Sequence, residues 1–80
     1  MAEVPDELVR LERSAEVERA KLAGLTGEAY DAQWRRWREA SDKAQAAITS
    51  YARESGAGRQ EVEQATKRAV RHTQEDPAVE

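Results

Sequence analysis

The 80-residue chain contains no cysteine and no phenylalanine, one histidine, two prolines and four glycines. Without cysteine there is neither a disulfide framework nor a thiol nucleophile, and no oxidising compartment is implied. A lone histidine and the lack of a glycine-rich phosphate loop leave the common hydrolytic, metal and nucleotide constellations without their parts. Large aliphatic residues are scarce too: four Leu, six Val and one Ile. A core drawn from so few is small, and a chain this short buries a modest share of its surface. No apolar run approaches the roughly 20 residues of a membrane span, and no signal peptide opens the chain. These absences lead to an expectation of a soluble, cytoplasmic, non-enzymatic protein with no cofactor, no metal site and no small-molecule substrate.

What is present is alanine and charge. Fifteen alanines, four regularly spaced aromatics and a net charge of only −3 favour packed helices over disorder. Arginine outnumbers lysine 10 to 3, which with the alanine content is the usage of a GC-rich bacterial coding sequence. The charge is graded along the chain. Residues 1–25 hold six acids and four bases, 26–55 five of each, and 56–74 two acids and four bases. Glu75 to Glu80 then add three acids and no base, which reads as a disordered acidic tail.

Hydrophobic periodicity divides the rest into one helical domain, residues 1–74, with helices at about 5–23, 27–55 and 59–73. Pro5 suits a first helical turn, and Asp6 and Glu7 suit its positive end. Val4, Leu8, Leu11, Ala15, Leu22 and Leu25 recur in steps of three and four, with Glu18 as the one polar member. Thr26 is placed to cap the second helix, with Leu25 and Tyr30 as a staple. There Tyr30, Trp34, Trp37, Ser41, Ala44, Ile48 and Tyr51 form a four-three stripe over three heptads. Folding about Thr26 sets Leu22 against Trp34, Glu18 against Trp37, Leu8 against Ile48 and Val4 against Tyr51. In that register Glu18 accepts the Trp37 indole N–H. Gly56 ends the helix. The third helix has a thin apolar face of Val62, Ala65, Ala69 and Val70. It is expected to lie weakly packed beside Ala40, Ala44 and Ala47. The fold class is all-α: an antiparallel, coiled-coil-like hairpin closed into a three-helix bundle.

Few residues offer chemistry. His72 lies near a helix C-terminus, where an imidazole is electrostatically welcome without any further role. The run from Trp34 to Arg38 combines aromatics and arginines as nucleic-acid binders do. Helical spacing turns both tryptophans toward the seam, however, and sets Asp31–Arg35–Glu39–Lys43 and Arg38–Asp42 as ion-pair ladders. Only Arg36 lacks a local acid. A two-helix seam covers one side of an indole, so Tyr30, Trp37 and Arg36 are the candidate partner-binding residues. Mixed charge on every polar face argues against a membrane surface.

The segment 51–65 resembles a helix-turn-helix core: Ala52 precedes Gly56 by four, Val62 follows it by six, and Ala65 fits the next buried position. That resemblance implies a recognition helix opened by Arg59 and Gln60, with Lys67, Arg68 and Arg71 reaching the phosphate backbone. The stretch from Arg59 to His72 also resembles the ends of small uncharacterised helical proteins of actinobacteria, which implies no activity. The leading expectation is a helical protein–protein interaction module whose partner is another protein or a second copy, as in a homodimer. The alternative is a small DNA-binding or regulatory protein using residues 51–73.

Overall fold

The computed structural model describes residues 4–75, and these form three helices and no strand. They are α1 (Asp6–Ala20), α2 (Gly27–Ser55) and α3 (Arg59–Glu75). Residues 76–80, most of the expected acidic tail, lie outside the described residues.

Local chemistry sets the boundaries. Pro5 is extended and its carbonyl receives the Leu8 and Val9 N–H groups at 3.1 and 3.4 Å. Helix α1 stops at Ala20, short of the end that the periodicity predicts. The Leu22 and Ala23 N–H groups turn back to Arg19 and Ala20 at 3.1 and 3.3 Å, and Gly24 reverses the chain at φ 83°. Thr26 is extended before α2 but makes no side-chain capping bond. Gly56 closes α2 in the left-handed region, φ 78°, with its N–H on the Ala52 carbonyl at 3.0 Å. Two residues later the Gly58 carbonyl accepts from Val62 at 3.0 Å and starts α3.

The core sits where all three helices meet. Leu8, Ile48, Ala52 and Val62 form one buried cluster, with Val4, Ala47, Tyr51 and Ala57 packed against it. The expected pairs Leu8–Ile48 and Val4–Tyr51 therefore share a cluster. Helix α1 packs extensively on α2, and α3 packs less on either. Its contribution is nevertheless concentrated: Val62, Thr66 and Val70 join Ile48 as the largest fully buried side chains. The Thr66 hydroxyl is satisfied by donating to the Val62 carbonyl at 2.8 Å. Helix α3 does not run along Ala40, which instead lines a cleft with Leu11 and Ser14 that no α3 residue enters. Arg59 donates to Thr49 of α2 at 2.9 Å and also to Gln45. Lys67 crosses to Glu12 of α1 at 2.7 Å.

The seam assignments along the first half of α2 need correction. Tyr30 and Trp34 are exposed, at 39% and 37%, and Trp37 is only half-buried. The cause is rotation rather than reach: Glu18 of α1 lies level with Gln33, so α1 extends as far as Trp34, but Gln33 and not Trp34 faces it. Glu18 does not meet the Trp37 indole. Gln33, on the flank of the stripe, is buried in its place. It donates to the Glu18 carboxylate at 2.8 Å and to the Glu18 carbonyl at 2.7 Å. That carbonyl belongs to the last turn of α1, whose acceptors have no intrahelical donor, so one amide satisfies two groups. Glu12, which is not part of the apolar stripe of α1, is 4% exposed, a buried acid.

Candidate functional site

The stripe along α2 is continuous, but its cover is not. Ala44, Ile48 and Tyr51 lie against α1 and α3, whereas Tyr30, Trp34, Trp37 and Ser41 form a face that no helix closes. The two indoles meet edge to face, with centroids 6.2 Å apart and planes at 70°. Over the Trp34 ring sits the Arg38 guanidinium, 5.5 Å from the centroid. The same guanidinium is 3.7 Å from Asp42. Such stacking holds a cation and an indole together by the ring's quadrupole and reduces the freedom of both.

Beside this face runs a groove of about 560 Å³ between α1 and α2. Its α1 wall alternates small residues (Ala15, Ala20 and Ala23) with the charged Glu16 and Arg19, and Trp37, Ser41 and Gln45 face it from α2. Glu12 and Lys67 close the end nearest α3. The Glu12 carboxylate holds the Lys67 ammonium above its ordinary pKa, chiefly through their hydrogen bond. At the other end of α1, the hydrogen bond from Gln33, with Lys21 and Arg36 adding their charges, holds Glu18 below the usual carboxylate range.

The structure brings together only part of the predicted site. Tyr30 and Trp37 belong to the aromatic face. Arg36 is exposed in the opposite cleft with Leu11 and Glu39 and does not join them. Trp34 and Arg38 belong to the face as well, although periodicity assigns one to the core and the other to a surface ion pair. Of the ladder on α2, Arg38–Asp42 forms; Asp31, Arg35, Glu39 and Lys43 make no ion pair among the described residues. On α3, Gln60, Arg68 and Arg71 are exposed. Arg59 is held by Thr49, Gln45 and Glu63, and Lys67 by Glu12. Ala52, Val62 and Ala65, the positions that carry the helix-turn-helix resemblance, are all buried. His72 is exposed, and no three His, Cys, Asp or Glu side chains converge as metal ligands among the described residues. No described helix is long and apolar enough to cross a membrane.

Comparison of the chain with protein-family models, with curated proteins and with solved structures returns no match.

Proposed function

We propose that the chain is a helical protein–protein interaction module that binds through the aromatic face of α2 and performs no catalysis. The observation that carries this reading is the exposure of Trp34 and Tyr30 on the same stripe whose other half builds the core. Tryptophan, tyrosine and arginine are the side chains that dominate protein interfaces, because each combines large apolar area with a directional polar group. Here they occur together, beside an open groove of mixed small and charged residues.

The duplex-binding alternative draws less support. Two of its five contact residues, Arg59 and Lys67, are engaged in bonds to α2 and α1. Glu61 and Glu63 occupy the first turns of α3, where a phosphate backbone would repel them.

The test is site-specific photo-crosslinking in cells that express the chain. A photoreactive residue at position 34 should give discrete protein adducts, and the same residue at exposed position 13 on α1 should give none. Equal labelling from both positions, or none from position 34, would overturn the reading.

A further inference from the structure

Resting on that reading, we infer that the occupant of the aromatic face is a second copy of this chain, docked antiparallel along α2 about a twofold axis between Arg35 and Arg36. The argument is one of charge and flanks. The stripe has two edges. One carries Gln33 and Ala40, and Gln33 is buried against the end of α1. The other edge carries Asp31 and Arg38, both exposed. In a parallel helix pair each edge meets the partner's opposite edge, which α1 blocks here. In an antiparallel pair like edges meet, and only the open one is needed.

That open edge is self-complementary. Antiparallel alignment about the stated axis places Asp31 beside the second copy's Arg38, and Arg38 beside the second copy's Asp31. Two ion pairs form from a single edge, related by symmetry as an isologous contact requires. Arg38 is held at this edge by Trp34 and lies 3.7 Å from Asp42, an exposed pair that leaves its guanidinium room for a second carboxylate, and Asp31 has no ion-pair partner among the described residues. Along the stripe the same alignment sets Tyr30 over the small Ser41 and Trp34 against Trp37. Large meets small at the ends, and four indoles meet at the centre. Like charges would oppose each other in most shifted registers, so the pair also sets the register.

The experiment is a charge exchange read by sedimentation equilibrium from about 10 μM to about 1 mM, where weak helical pairs dissociate. Wild type should self-associate. Asp31→Arg alone should weaken association by about tenfold or more, because two arginines then face each other twice, and Arg38→Asp should do the same with aspartates. An equimolar mixture of the two single variants should associate again. In the mixed pair, the arginine introduced at position 31 of one chain meets the aspartate introduced at position 38 of the other. The unchanged Arg38 of the first chain likewise meets the unchanged Asp31 of the second. The double variant in one chain should also recover to within about threefold of wild type. Thermal melts at the lowest concentration check that each variant is folded.

A wild type that stays monomeric at about 1 mM, or a mixture that associates no better than its components, overturns the proposal. That failure is separate from failure of the interaction reading. Adducts from position 34 with a different protein would sink the second copy and leave the module standing, whereas no adducts at all from position 34 would sink the module.

Discussion

The Glu12–Lys67 pair gives the most discriminating test of how the bundle is held. The two groups differ in exposure: the Glu12 side chain is 5% accessible, the Lys67 side chain 44%. Their removal should therefore be unequal. Lys67→Met keeps the aliphatic stem but leaves a buried carboxylate without its cation. Breaking a buried pair in this way typically costs 3–5 kcal/mol, and the half-exposed site lets water compensate in part, so about 2–3 kcal/mol is expected. Glu12→Leu keeps the volume, and Lys67 can swing into solvent, so the expected change is within about 1 kcal/mol of zero. The double variant should recover most of the Lys67→Met loss. For a chain this small, with total stability near the low end of about 5–15 kcal/mol, 2–3 kcal/mol is a large fraction. In urea melts followed by far-ultraviolet circular dichroism, it corresponds to a midpoint shift of about 2–3 M at a slope near 1 kcal/mol/M. Equal losses for the two single variants, or a greater loss for Glu12→Leu, would refute the reasoning, because the pair would then not be an acid buried by its partner.

Trp34→Ala should cost about 1 kcal/mol, against about 3 kcal/mol for Ile48→Ala at the fully buried position of the same stripe; thermal melts of the two variants side by side decide it. Because Glu18 is held below the ordinary glutamate range in the folded chain, its contribution is present above the unfolded pKa and is lost as pH falls through the lower folded value. Gln33→Leu removes the largest cause of that shift, so its stability deficit at neutral pH should narrow in urea melts below pH ~4. Gly56→Ala forces a side chain into φ 78° and should cost about 1 kcal/mol by the same assay. Fluorescence anisotropy with duplex DNA at about 50 mM salt should show no binding up to tens of micromolar, below the strength of ordinary non-specific binders.

Much of the architecture could be read from residue order. The Gly56 stop, the span of α2 and the buried positions Ala52, Val62 and Ala65 follow from turn chemistry and helical spacing, which act locally. What escaped is non-local. A four-three stripe says which side of α2 is apolar, not what covers it. Beside the last turn of α1 it is Gln33, one position off the stripe, that turns inward, and this leaves Trp34 outside. Glu12 follows Leu11 and lies off the apolar stripe of α1. It is buried only because α3 arrives with Lys67, 55 residues further along, and no spacing rule pairs residues that distant. Gln33 escaped similarly, since the need it meets is created by the unpaired carbonyl of Glu18. Arg38 was legible as a helical ion pair, but its role over an exposed ring depended on Trp34 being exposed at all.

The division of the α2 stripe has a consequence for how the chain can change. Its C-terminal half is committed to folding and tolerates few substitutions. Its N-terminal half carries less of that burden, because Tyr30 and Trp34 stand 39% and 37% exposed and lie outside the buried cluster. On the proposed reading, recognition and foldedness are drawn from one helix but from separate lengths of it. Replacing residues 30, 34 and 38 as a set should re-address the surface without approaching the melting threshold, so the hairpin can serve as a scaffold on which a new specificity is written over about three turns of helix.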